Sequence, residues 1–171
     1  MNNPIISSDE RTIANFRIAM RRLTSTVSII ATQSEGEPYG MIATSLTSVS
    51  TSPPSILVCI NKSASLYRPC IETGRFTVNL LTTEQASLVS IFSGEFKGNT
   101  RFQFGHWEYI DELPYLTNAQ ATLFCTTSQR TNYSSHEIII ATVDHSLFEE
   151  RVIPLLWQDG KPAASTPIVE H

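Results

Sequence analysis

The densest chemistry in this chain lies in Thr44-Ser45-Leu46-Thr47-Ser48-Val49-Ser50-Thr51-Ser52, where seven of nine side chains carry a hydroxyl. Such groups donate and accept hydrogen bonds, lose little rotamer entropy when fixed, and leave the neighbouring main chain free to bond a ligand. The run follows Tyr39-Gly40-Met41-Ile42-Ala43 and is closed by Pro53-Pro54. It leads into Ser55-Ile56-Leu57-Val58-Cys59-Ile60, a β-branched-rich strand that exits through Asn61-Lys62-Ser63-Ala64-Ser65. A cation and small hydroxyls at a strand's exit suit a phosphate. Together the two segments read as a cradle for a flat heteroaromatic ligand with a phosphate; composition alone also allows a polar edge strand or Ser/Thr-rich loop.

Elsewhere the reactive residues are sparse. Cys59, Cys70 and Cys125 are odd in number and widely spaced among apolar or small neighbours, as expected of free thiols in a reducing compartment. A cysteine nucleophile paired with His136 is open on sequence grounds, and buried structural cysteine is the preferred reading. With no C-x-x-C and no H-x-x-x-H, no metal site is expected. Only seven glycines occur and none form G-x-G-x-x-G, which excludes the usual Rossmann dinucleotide site.

The 171 residues, 41% of them hydrophobic, suffice for one domain with its own core. A net charge of -4 without a basic stripe argues against nucleic acid as a partner. The longest apolar run, Ile56 to Ile60, is too short to span a bilayer, and Met1-Asn2-Asn3-Pro4 does not begin a signal peptide. The expectation is a soluble cytoplasmic protein with no membrane partner.

Several elements must position these residues. Ser7 and Glu10 form a capping box ahead of Ile13, Phe16, Met20 and Leu23, predicting a helix over 8–23 that lays one apolar stripe on the domain body. Strands are predicted at 26–32, 39–50, 55–61, 75–81, 119–131, 136–147 and 153–157. Short helices are predicted at 65–73 and 84–93, with Ser65 and Thr83 as caps. Segment 94–118 reads as a long loop with at most short elements, of the kind that serves as a lid or partner surface. Many strands, few helices and no βαβ rhythm argue for a mainly β Greek-key barrel.

The chain resembles the small flavin reductase components of two-component flavin-dependent monooxygenases and related flavin reductase-like proteins. The resemblance rests on Phe16-Arg17-Ile18-Ala19-Met20-Arg21-Arg22-Leu23, Gly40-Met41-Ile42-Ala43-Thr44-Ser45, Thr47-Ser48-Val49-Ser50, Asn61-Lys62-Ser63-Ala64-Ser65 and Phe76-Thr77-Val78-Asn79-Leu80-Leu81. Arg101-Phe102 with Trp107, Ser135-His136-Glu137-Ile138 and Pro154-Leu155-Leu156-Trp157 follow in order, so it covers about Phe16 to Trp157. It implies a single flavin reductase-like domain over 1–171, its core at about 10–158, folded as an FMN-binding split β-barrel that forms a homodimer. The implied activity is reduction of FMN or FAD by NADH or NADPH, with free reduced flavin passing to a separate oxygenase.

By the same resemblance, Thr44, Ser45, Thr47 and Ser48 line the ring and ribityl chain, with backbone amides of Met41, Ile42 and Ala43 reaching the ring. Asn61, Lys62, Ser63 and Ser65 hold the phosphate, Asn79 and Arg101 join the pocket, and Ser135 and His136 face the nicotinamide. Here Ser134-Ser135 replaces the family's Gly-Asp pair, and Ala141 and Thr142 stand where it has a glycine and an acid. That departure motivates a second reading, a non-catalytic flavin-binding or electron-carrying protein. A flavin oxidase of the pyridoxamine-phosphate type is a third, disfavoured by the Asn61–Ser65 and Ser-His elements. Hydride transfer between two cofactors requires mainly that the protein align them, so the lack of an acid/base dyad is consistent with the first.

Overall fold

Alternation along each strand decides which face it buries. In the computed structural model, which describes residues 8–168, β5 (Pro54–Asn61) buries Ile56, Val58 and Ile60 and leaves Leu57 and Cys59 half-covered on the other face. By contrast, β2 (Ser28–Ser34) is buried on both faces from Ser28 to Thr32. Such a strand must lie between two layers. Its Ile30 joins Val58, Ile60, Phe76, Val78 and Ile139 in one core cluster, while Ile29 and Ala31 join Leu81, Phe92, Leu116 and Leu155 in another.

The remaining elements are α1 (Ser8–Met20), β1 (Ser25–Thr26), β3 (Glu37–Ala43), β4 (Thr47–Thr51), α2 (Tyr67–Thr73), β6 (Arg75–Leu80) and α3 (Leu88–Ser90). After these come β7 (Trp107–Ile110), β8 (Leu113–Leu116), β9 (Ala121–Tyr133), β10 (His136–Phe148), β11 (Leu155–Gln158) and β12 (Lys161–Ala164). Seven strands form one antiparallel sheet in the order β3-β2-β6-β9-β10-β5-β4. Its two edges, β3 and β4, are joined by only Thr44, Ser45 and Leu46. Fully extended, the chain from Ala43 to Thr47 reaches about 14 Å, whereas the edges of a flat seven-stranded sheet stand about 29 Å apart. The sheet must therefore curl until its edges meet. Ser45 fastens the seam: its Oγ donates to the Cys59 carbonyl and accepts from the Cys59 N–H, both at 3.2 Å. This crossing splits the strand predicted over 39–50 into two.

Other departures follow from the same packing. The predicted Ser7–Glu10 cap begins outside the described residues. The helix α1 forms but ends at Met20 rather than Leu23, and the predicted stripe stays largely open: Ile13, Phe16, Met20 and Leu23 are 51%, 62%, 47% and 59% exposed, and neither core cluster includes them. Leu66, not Ser65, occupies the position before α2, with no side-chain cap. Thr82, not Thr83, precedes the 3-10 turn Thr83–Gln85, its N–H donating to Gln85 Oε1 at 3.0 Å. Segment 94–118 holds a 3-10 helix (Gly98–Gln103) and the β7–β8 hairpin, and β12 pairs with β11 beyond the last predicted strand.

Asn79 binds β8 onto the sheet. It is wholly buried; its Nδ2 donates to Ile29 O (3.1 Å) and Thr77 Oγ1 (3.0 Å), and its Oδ1 accepts from Leu116 N–H (2.8 Å) and Thr122 Oγ1 (3.2 Å). Thr77 adds a bond to Pro114 O at 2.7 Å. Replacing Asn79 by Ala orphans a buried N–H and a carbonyl, so Asn79→Ala is expected to lower unfolding free energy by about 2–4 kcal/mol, read from urea denaturation. An unchanged midpoint would contradict this assignment.

Candidate functional site

Curling the sheet sets the end of β3 beside the loop that leaves β5. Between them opens a cleft of about 620 Å³, within the range typical of small-molecule sites. Met41, Ile42 and Phe92 supply its apolar surface, Ser63, Ser65 and Ser93 its hydroxyls, and Lys97 and Arg101 its positive charge.

Each wall has a local cause. Asn61 Oδ1 accepts from the Ser63 N–H (2.9 Å) and Ser63 Oγ (2.8 Å), an Asx turn that bends the chain out of β5. Ala64 N–H then bonds Asn61 O, and Tyr67 N–H bonds Ala64 O, leading directly into α2. The opposite wall is held by Arg101, whose Nε donates to Phe96 O at 2.7 Å and Nη1 to Gly40 O at 3.0 Å. Below it Phe92, Phe102 and Trp107 pack together, with Phe92 and Phe102 edge to face at 5.3 Å. These rings need a bare backbone at Gly40, where a Cβ would fall 2.7 Å from Phe92 Cε1 and 3.1 Å from Phe102 Cζ.

The residues singled out from sequence divide into three groups. Met41, Ile42, Ser63, Ser65 and Arg101 line the cleft. Asn61, Lys62, Ser135 and His136 form its flank: His136 opens β10 opposite Asn61, its Nδ1 lies 2.9 Å from Ser135 Oγ, and Lys62 Nζ donates to Ser134 O at 2.8 Å. Lys62 therefore braces the hairpin turn rather than reaching into the cleft. Ser134 takes φ 50°, the left-handed value a glycine adopts freely, so the two-residue turn survives without the Gly-Asp pair.

The third group stands apart. Ala43 is buried in the barrel core. Thr44 and Ser45 form the seam, and Thr47 and Ser48 lie exposed on the edge strand β4, opposite Leu57 and Ile56. The hydroxyl-rich run is thus mostly seam and edge, and the amide of Asn79 is fully engaged in the interior. Sequence alone does not single out Phe92, Ser93, Lys97 and Gly98: the first two fall at the end of the helix predicted over 84–93, and only the length of segment 94–118 signals the other two.

Cys70 and Cys125 lie buried in the barrel, and burial pushes both thiols up to about 12; Cys59 is also a free thiol. No thiol lies within hydrogen-bond reach of His136. Among the described residues no cluster of His, Cys, Asp or Glu is placed to hold a metal ion, and no helix is long and apolar enough to cross a membrane.

The profile of the flavin reductase like domain matches residues 20–165. The chain belongs to the flavin reductase-like family. The reductase component of an FADH(2)-dependent resorcinol hydroxylase from a Rhizobium species is 35% identical over 156 residues, spanning 90% of this chain and 87% of that protein. An FMN reductase (NADH), RutF, from Pseudomonas syringae is 39% identical over 129 residues, 75% of this chain and 72% of its own. A crystal structure of a flavin reductase domain protein from an Arthrobacter species superposes with a TM-score of 0.85 at 26% identity, covering 92% of this chain and 98% of that one. The flavin reductase-like fold is the split barrel described above.

For this flavin reductase-like chain, Gly40→Ala is expected to displace Phe92, lower stability by about 1–3 kcal/mol through overpacking, and weaken FMN binding several-fold. Denaturation midpoints and flavin fluorescence titration would register both effects, and wild-type behaviour in both would refute the close approach.

Proposed function

We propose that this protein is a flavin reductase that uses NADH to reduce FMN or FAD and releases the product to a separate oxygenase. The observation that carries the reading is the cleft's donor set, which fits a flavin. Met41, Ile42 and Phe92 offer apolar surface to a ring system, while Ser63, Ser65, Ser93, Lys97 and Arg101 offer hydroxyls and charge to a ribityl phosphate. A flavin, when bound, supplies the ring that accepts a hydride from a reduced nicotinamide.

The chain's own part is to hold and orient. Lys97 places a point charge at the rim. Arg101, with Nε and Nη1 spent on Phe96 O and Gly40 O, presents its remaining edge from a fixed position. His136, its Nδ1 bonded to Ser135 Oγ, stands beside the Asn61–Ser65 wall as the nicotinamide-facing residue. Contacts through hydroxyls and an open cleft favour modest affinity, as a product that must leave requires. The turn kept by Ser134 supports a catalytic reductase over a flavin carrier without nucleotide recognition. Three unpaired thiols support a cytoplasmic, reducing setting.

Purified protein is expected to oxidise NADH only when FMN or FAD is added, and Lys97→Ala to raise the KM for flavin about tenfold while sparing kcat. Flavin binding without turnover on either nicotinamide would reject the reductase.

We further infer a single domain that works as a homodimer. The exposed stripe of α1 borders a groove of about 400 Å³ lined by Phe16, Met20, Leu23 and Trp157 and rimmed by the charged Arg17, Arg21 and Asp159. On the outer face of the sheet, Ile138 and Ile140 pair with Cys59 and Leu57 and are only half-covered. A second copy would bury both surfaces. Sedimentation equilibrium is expected to give twice the 19.0 kDa chain mass, and Phe16→Glu to shift the protein toward monomer. A wild-type monomer at micromolar concentration would contradict this.

A further inference from the structure

The inward positions of β10 run Glu137, Ile139, Ala141, all buried, and the first of these breaks an otherwise apolar pattern. Glu137 is 5% exposed, the one carboxylate counted as buried among the described residues. Placing a carboxylate there costs stability that an apolar residue would not, and such local violations mark sites shaped by something other than folding. Its partner is Tyr67, whose hydroxyl donates to Glu137 Oε2 at 3.2 Å. Desolvation first, then the hydrogen bond and charge of Glu137, raise the Tyr67 pKa and keep that hydroxyl a donor.

The pair joins two parts of the cleft region. Tyr67 opens α2, and its N–H bonds Ala64 O in the middle of the Ser63–Ser65 wall. Glu137 follows His136 in β10 and is paired with Ile60, one residue before Asn61. On the outer side Lys62 reaches Ser134 O through Nζ and Ser135 O through its N–H. The loop is thus held to the hairpin from outside by Lys62 and from inside by the Tyr67–Glu137 bond.

We propose that Glu137 is a positioning residue that acts through Tyr67 to fix the Ser63–Ser65 wall of the cleft against the strand bearing His136. The inference rests on the flavin reading of the cleft. Without the bond, the start of α2 and the wall attached to it lose the hydrogen bond that ties them to β10 and are held inside by the buried Leu66 and Cys70, and ligand binding weakens before overall folding does.

Three variants test it, each with FMN affinity by fluorescence quenching and steady-state kinetics, below its own melting temperature. Tyr67→Phe and Glu137→Ala are each expected to raise the Kd and KM for FMN fivefold or more with kcat within twofold. Glu137→Gln keeps an oxygen to accept from Tyr67 and is expected to stay within twofold of wild type. The double variant Tyr67→Phe/Glu137→Ala is expected to be no worse than either single change. Should Glu137→Ala fail to fold, Tyr67→Phe, which removes a single oxygen, carries the test alone. A lowered melting temperature with unmoved Kd and KM would make the pair structural only. Failure of Gln to rescue, or multiplicative losses in the double variant, would equally overturn the proposal. If the wild type binds and reduces FMN while the variants match it, only this inference falls; a wild type that does not bind FMN removes the cleft reading as well.

Discussion

Three residues cannot cross a flat seven-stranded sheet. Because Thr44, Ser45 and Leu46 alone connect its opposite edges, the sheet must close on itself, and almost everything functional in the molecule depends on that closure. Met41 and Ile42 on β3 and Ser63 and Ser65 beyond β5 belong to opposite sides of the sheet's hydrogen-bonding order, yet they line one cleft. A hydroxyl that bonds both the N–H and C=O of Cys59 does at the seam what a further pair of ladder bonds would otherwise do.

Period-two alternation made the central strands readable from sequence. Ile56, Val58 and Ile60 alternate with Leu57 and Cys59, and the 121–133 and 136–148 strands meet across a two-residue turn where Ser134 and Ser135 interrupt the pattern. The strand predicted over 39–50 divides into β3 and β4, and composition does not reveal where a chain changes sheet edge. The hydroxyls that composition reads as a ligand cradle are also of the kind that a seam and an exposed edge strand favour, since Thr and Ser suit a half-wet pleated surface.

Long-range burial set the other limits. Asn79 falls within a motif and has a side chain suited to a pocket, but its four partners come from residues as far as fifty positions away. The stripe of α1 has helical spacing, and spacing does not say whether the covering surface lies in the same chain. Lys97 and Ser93 sit among Gly94, Glu95, Gly98 and Asn99 without periodicity; the anchoring of their segment to β3, by Arg101 at Gly40 O and by Asn99 at Glu37, brings them to the cleft.

The two thiols inside the barrel bear on survival. Reduced flavin set free in air generates hydrogen peroxide, so a protein with the proposed activity works in an oxidant of its own making. Peroxide attacks thiolate rather than thiol. Cys70 and Cys125, walled off by strands and held protonated by burial, are poor targets for sulfenic acid formation, so the core that shapes the barrel is shielded from the chemistry at its mouth.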